Sequence, residues 1–391
     1  MNRNVLAGLV AAATLAAVLV LSACTPPTKE PLCTAPDTQD LVIVRDVTAH
    51  ASVGVDPAVE CIVTAALFAG IPVSVIAADG DPAVTLRGST GAVRTENITV
   101  FHDDLPGALT NIAAAFVPAD DDGLDLLAAL SLAADLSEDS TVIVISSGLS
   151  DAEPLSYPTP GMLDADAQEV AAQVMESGAL TDAGGIVHVE WFGAGYGAGE
   201  QGALHDDSRD TVRATWAAIL GNLGVNVVFN NAPLAEKETF ATPRTVVPTL
   251  ETELTPIEPK IEKETASWAL GQDGPVSFVK DSSDYLKPDL AHAAIAEAAA
   301  QILAHGGCSV IVSGTTAEVP GMSRTGAANL AERRAATVAQ GLIDAGVPAD
   351  CISTRGYAGA DSPWYSDNNP GGVFDAALAV ANRSVHIEAT N

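Results

Sequence analysis

Three sets of residues in this chain have the types and spacing for chemistry. The first is cysteine. Cys33, Cys61, Cys308 and Cys351 lie far apart and none belongs to a C-x-x-C pair, so they suit disulfides in an oxidising compartment better than a redox centre. Four thiols allow three pairings, and sequence distance favours Cys33–Cys61 and Cys308–Cys351. The seven histidines show no H-x-x-x-H spacing, which leaves zinc without its usual pair of helical ligands. The second set is oxygen donors after apolar runs: Asp46 and Thr48 after one run, Ser146 and Ser147 after another, with Asp151 close behind. Such groups cap a loop or helix start, or hold a hard cation such as Mg²⁺. The third is Arg334. On a helical projection at about 100° per residue, with Leu330 at zero, Val338 falls at about 80°, Leu342 at about 120° and Arg334 at about 40°. A guanidinium inside an apolar arc must meet an acceptor, because burying it alone is costly. That acceptor is either a ligand or an internal acid such as Glu318 or Asp361. Arg333 projects at about 300°, on the polar side.

Other catalytic signatures are missing. No G-x-S-x-G or G-x-x-x-x-G-K-[ST] run follows a strand, so neither a serine hydrolase elbow nor a P-loop is indicated. Gly193-Ala194-Gly195-Tyr196-Gly197 follows a strand but has no basic neighbour in sequence, and it is expected as a flexible loop.

The elements that position these groups fall into two domains. Leu41–Val44 is a continuous apolar run, and Ile71–Ile76, Thr141–Ile145, Ile186–Phe192 and Val225–Phe229 are further strand patterns, alternating with helical patterns at 56–70, 123–136 and 209–220. That alternation implies a mostly parallel sheet between helix layers over residues 38–231. Five prolines then punctuate a Thr/Glu/Lys stretch at 232–265, which reads as an extended linker. In residues 266–391 the expected order is βαβαββ. It comprises a strand at Val276–Phe278, a helix from Lys287 burying Leu290, Ile295, Ile302 and Leu303, and a strand at Ser309–Val312. A helix at Gly326–Ala345 and strands at Cys351–Arg355 and Ser384–Glu388 complete it. The whole chain is α/β.

The composition limits the partners. Eighteen basic residues face 50 acidic ones, for a formal charge of -32, which repels nucleic acid and anionic lipid headgroups. With 48% apolar and 17% charged residues, the chain has enough apolar side chains for sizeable cores.

Three resemblances follow from these residues. Asn2-Arg3-Asn4, the apolar run Val5–Leu21 and Leu21-Ser22-Ala23-Cys24 resemble a bacterial lipoprotein signal with its lipobox. The resemblance implies removal of residues 1–23, diacylation of Cys24 and a tether at 24–37, anchored by lipid on the extracytoplasmic face of the cell membrane. An uncleaved N-terminal helix is the alternative.

Asp46-Val47-Thr48-Ala49-His50 resembles the D-x-S-x-S motif of von Willebrand factor A-type domains, which hold Mg²⁺ there. His50 stands at the third position, and Ser146-Ser147-Gly148 stands where that family has an Asp before Gly. Mg²⁺ prefers oxygen ligands, so Asp46 and Thr48 are expected to bind it weakly or not at all, and no cofactor is expected.

Leu330-Ala331-Glu332-Arg333-Arg334-Ala335-Ala336-Thr337-Val338, with Gly356-Tyr357-Ala358-Gly359 and Asn382-Arg383-Ser384-Val385, resembles the OmpA-like peptidoglycan-binding domain. That resemblance implies that Arg334 meets a diaminopimelate carboxylate of the peptide stem, with Thr316 and Glu318 in the site. Ala317 falls where the family has the Asp for the stem amine, Ala327 where it has Asn and Ala331 where it has Ser. Trp364 and Tyr365, in a late loop, either stack on sugar or pack on their own domain.

The resulting expectation is a non-catalytic envelope lipoprotein with peptidoglycan, a membrane and an unidentified envelope protein as partners. The alternatives are an adhesion or interaction protein without wall binding, and an envelope hydrolase, for which no nucleophile–base spacing can be named.

Overall fold

The computed structural model describes residues 33–89, 98–117, 121–198, 201, 204, 206–230, 239–240, 260–262, 265–271, 274–306, 309–319 and 322–390. The leader at 1–23, the proposed lipid site Cys24, Cys308 and most of the segment 232–265 lie outside them. The chain divides into two compact units, Met1–Pro158 with Val174–Leu250 and Thr159–Gln173 with Glu251–Asn391. No helix among the described residues is long and apolar enough to cross a membrane.

The first unit is built on β1 (Asp40–Asp46), β2 (Val73–Ala78), β3 (Ala83–Ser89), β4 (Ser140–Ile145), β5 (Ile186–Phe192) and β6 (Asn226–Asn230), in the order β3-β2-β1-β4-β5-β6. All neighbours are parallel except the edge pair β2–β3. Leu41, Val42, Ile43 and Val44 are wholly buried, as a continuous apolar strand in the middle of a two-faced sheet must be. Helix α1 (Pro57–Ala69) begins where the Asp56 carboxylate accepts the Ala58 N–H and ends at Gly70, φ 75°. Both ends follow the usual capping chemistry. Helices α2 (Ile98–Ala114), α3 (Leu126–Leu136), α4 (Ala167–Ser177) and α5 (Asp206–Asn222) follow in chain order, and the division between the units falls within α4. The sequence patterns do not reveal β3, α2 or α4. β3 is a half-covered edge, and α2 carries Pro106 in its interior, a residue that normally argues against a helix. Cys33 and Cys61 are disulfide-bonded, Cα atoms 5.7 Å apart, which ties the chain before β1 to α1.

The second unit contains β7 (Lys260–Glu262), β8 (Thr265–Leu270), β9 (Ser309–Thr316), β10 (Ile352–Ala358) and β11 (Val385–Thr390), in the order β10-β9-β11-β8-β7. β9 and β10 are parallel, and β11 runs antiparallel to both β9 and β8. Its helices are α6 (Pro288–His305), α7 (Arg324–Asp344) and α8 (Ala376–Ala381). Three expectations change. The first strand is β8 rather than Val276–Phe278, where Phe278 makes only an isolated bridge to Tyr285. β7 lies inside the segment expected as linker. On α6, Leu290 and Leu303 are 44% and 48% exposed, and the buried face is made by Ala291, Ala294, Ile295, Ala298, Ala299 and Ile302. Small residues let that helix lie closer to its neighbours than a leucine stripe would. Cys351 is disulfide-bonded, while its expected partner Cys308 is outside the described residues.

α7 lies on a floor without side chains. Gly314 of β9 pairs with Gly356 of β10. A Cβ at Gly314 would collide with the Ala331 carbonyl, and one at Gly356 would stand 2.5 Å from the Ala328 carbonyl and the Glu332 amide. Helix and sheet backbones therefore meet directly, and this fixes which face of α7 turns inward.

Candidate functional site

That inward face carries Arg334. The residue is 6% exposed among Leu330, Ala331, Ala335 and Val338, whereas Arg333 is exposed. Its guanidinium lies 5.0 Å from the Phe278 ring. Nε donates to the Ser282 carbonyl at 2.9 Å and Nη2 to the Val279 carbonyl at 3.4 Å, so the loop between β8 and α6 acts as its cradle. Neither acid considered from sequence pairs with it, because Asp361 holds Arg324 instead at 2.5 and 2.9 Å. Burial, helped by the neighbouring positive Arg383 and opposed by Asp281, lowers the Arg334 pKa to about 10. The group stays cationic at neutral pH, and no carboxylate among the described residues bonds to it.

Thr316 and Glu318 sit at and just beyond the end of β9. The Thr316 hydroxyl is buried and donates to the Ala327 carbonyl at 2.7 Å, where it joins β9 to the start of α7. The Glu318 amide donates to the Asp367 carboxylate at 2.7 Å. Asp367, 3% exposed, also accepts from the wholly buried Asn382 side chain at 2.5 Å, and Asn382 donates in turn to the Gly359 carbonyl at 3.1 Å. Asp367 thus brings a buried carboxylate beside the residue that follows Ala317. Sequence reading misses it because it comes from a loop 49 residues away.

Trp364 packs on its own unit. Its ring stacks on His386 with centroids 3.9 Å apart and planes within 4°, and it meets Tyr357 edge-on at 5.9 Å. Tyr365, at 40% exposure, keeps an open face. Burial lowers the His386 pKa to about 4, and its Nε2 lies 2.9 Å from the Ser384 hydroxyl.

In the first unit the oxygen donors do converge at the carboxyl ends of β1 and β4, where open sheets usually place ligands. Their bonds, however, are internal: the Asp151 carboxylate accepts the Leu124 amide at 2.6 Å and the Ser147 hydroxyl the Leu149 amide at 3.3 Å. Asp46 accepts from the Thr48 amide at 3.0 Å, from the Thr48 hydroxyl at 2.8 Å and from the Ser146 hydroxyl at 2.9 Å. Burial raises its pKa against the pull of those bonds and of Arg45. The Gly195 amide donates to the Ser147 carbonyl at 2.7 Å and the Ala198 amide to the His50 carbonyl at 2.8 Å, so the loop after β5 closes over the crevice. Among the described residues no group of three or more His, Cys, Asp and Glu side chains gathers to hold a metal. His50 is buried, and neither ring nitrogen has a hydrogen-bond partner among the described residues. The glycine-rich loop also differs from expectation: Tyr196 is covered by the Arg209 and Arg213 guanidinium groups at 5.0 and 5.4 Å. Those cations come from α5, later in the chain. Arg45 is a further residue that sequence reading passes over. It is wholly buried between Phe116 and Phe240, 5.8 and 5.3 Å from their rings.

No family model matches this chain, and no curated protein matches it. Solved structures do resemble part of it. The cell wall anchor of the T6SS from Pseudomonas aeruginosa is 19% identical over 34% of this chain and 87% of its own, with a TM-score of 0.27. The periplasmic domain of Helicobacter pylori MotB is 19% identical over 34% of this chain and 78% of its own, with a TM-score of 0.27. The OmpA-like domain of FopA1 from Francisella tularensis is 20% identical over 35% of this chain and 87% of its own, with a TM-score of 0.26.

Proposed function

We propose that this chain is a non-catalytic cell-envelope lipoprotein whose second unit associates with peptidoglycan through Arg334. One observation carries the reading: a buried cation on the inward face of α7 is held by two backbone carbonyls and an aromatic ring, and no acid among the described residues bonds to it. A guanidinium held this way keeps its charge for an anionic ligand, and the carboxylate of a stem peptide matches its planar fork. The Asp that the OmpA-like pattern places at Ala317 is absent, but the Asp367 carboxylate next to Glu318 supplies a negative group from another loop. Its two oxygens have lone pairs beyond those already used, the acceptor chemistry that a stem-peptide amine needs.

The first unit supports a von Willebrand factor A-like reading through its sheet order, with β1 central and β3 as the antiparallel edge. In that reading it binds a protein partner without the family's metal, since the Asp46 lone pairs are turned inward. Lipidation at Cys24 would place both units outside the cytoplasmic membrane.

Co-sedimentation with purified sacculi, beside a melting curve for each variant, tests the wall-binding assignment. Arg334→Ala removes a charge-assisted bond typically worth about 1.5–3 kcal/mol and should weaken binding by more than about tenfold, with Arg333→Ala close to the unmodified protein. Failure of the chain to co-sediment in any form would reject wall binding and leave an envelope interaction protein.

A further inference from the structure

The second unit includes a segment that comes from elsewhere in the sequence. Thr159–Gln173 lies between β4 and β5 in chain order, yet its contacts belong to the second unit. Acids and close backbone approach hold it there. Glu169 bonds Arg383, both side chains nearly enclosed at 13% and 12% exposure. Asp166 accepts from Lys280 Nζ at 2.7 Å. The Gln173 side-chain carbonyl accepts the Ala376 amide at 2.8 Å. At Gly161, φ 91°, a Cβ would stand 2.6 Å from the Ala377 carbonyl, so the segment touches α8 backbone to backbone.

Both cations that hold the segment belong to the surroundings of Arg334. Lys280 lies between Val279 and Ser282, the two residues whose carbonyls cradle the Arg334 guanidinium. Arg383 is near enough for its charge to lower the Arg334 pKa. The segment therefore delivers two carboxylates to the basic residues around the proposed ligand cation, which is the chemistry of an acidic peptide ligand. The Glu169–Arg383 tie is the weaker of the two, since at Asp166 the bond and charge of Lys280 outweigh burial and lower the pKa. Burial raises the Glu169 pKa even though Arg383 opposes the shift, so the ionised carboxylate loses hydration that its partner does not fully return. An enclosed ion pair of this kind contributes little net stability and can yield to a competitor.

We propose that Thr159–Gln173 is an internal acidic strap on the cationic face around Arg334, and that a carboxylate-bearing stem peptide must displace it for the second unit to hold the wall. This rests on the wall-binding reading of Arg334. Strap and wall peptide then compete, and a partner or condition that frees the strap strengthens attachment.

The test uses the full chain with sacculi. The double variant Asp166→Asn with Glu169→Gln keeps the shape of the strap and removes its charge, and wall affinity should rise by about fivefold or more, the low end of ordinary intramolecular coupling. Adding Arg334→Ala in that background should abolish the gain. Hydrogen exchange on the unmodified chain supplies a reading that needs no variant: soluble muropeptides should speed exchange across 159–173. If the unmodified chain binds sacculi, yet the double variant binds no tighter and exchange across 159–173 is unchanged, the strap is structural and the proposal falls while wall binding stands. If no form of the chain binds sacculi or muropeptides, both fall together.

Discussion

Burial decides what individual side chains do in this protein, and His386 shows it most directly. The ring is stacked under Trp364 and 5% exposed, and burial lowers its pKa from 6.5 to about 4. The unfolded chain takes up this proton below about 6.5 and the folded one only below about 4, so stability rises with pH across that window. Acidification from neutrality should therefore cost the second unit on the order of 2–3 kcal/mol from this residue, since each tenfold loss of proton affinity is worth about 1.4 kcal/mol. Comparing His386→Phe with the unmodified chain isolates the effect, because the ring stack survives and the titration is removed. The difference in melting temperature between the two should change between pH 7 and pH 4. A constant difference would show that His386 titrates normally. Arg334 follows the same logic with the opposite charge habit, as its guanidinium stays ionised even when buried, and so it needs acceptors rather than loss of its proton.

At the scale of elements, the paired glycines Gly314 and Gly356 set the geometry of the candidate site. They let α7 lie against β9 and β10 with no intervening side chain, which turns Arg334 toward the loop between β8 and α6. Gly314→Ala puts a methyl group against the Ala331 carbonyl, where backbone on both sides has no room to give. Overpacking costs about 1–3 kcal/mol where side chains can adjust, so a loss of about 3 kcal/mol or more is expected in chemical denaturation. A loss below about 1 kcal/mol would mean that α7 can lift from the sheet. Small residues recur along the same contact surfaces, at Ala327, Ala331 and Ala335 on α7 and at Ala291, Ala294 and Ala298 on α6. These alanines serve close approach of helix backbones, while Trp268, Phe278, Ile295, Ile302 and Leu342 fill the core beside them.

Across the whole chain, two units with separate sheets are each closed by long-range ties. In the first, Cys33–Cys61 spans 28 residues. A loop of that size is worth roughly 3–4 kcal/mol in the chain-entropy model. The double variant Cys33→Ser with Cys61→Ser should lower the melting transition of the first unit and leave that of the second in place. Calorimetry showing one shifted and one unshifted transition would bear this out, and two unshifted transitions would mean that the bond constrains nothing the folded unit needs.

Some of this architecture is written in local patterns. Continuous apolar runs mark β1 and β4 because strands buried on both faces cannot alternate. The helical period of 330–342 places Arg334 among buried residues and Arg333 outside, since one turn of geometry decides both. Cysteine spacing points to Cys33–Cys61 because short loops are the easier to close. Other features depend on residues that meet only through space. β3 is an edge strand with partly exposed residues, so its pattern is weak. The Asp367 carboxylate reaches Glu318 across 49 residues, and Arg209 and Arg213 reach Tyr196 from another helix. The acids Asp166 and Glu169 look like solvated surface charge until the fold brings Lys280 and Arg383 to them. Sequence by itself determines periodicity, caps and which side chains must leave water, because those are local free energies. Which cation meets which acid is set by chain topology, and that is decided only when the sheets have formed.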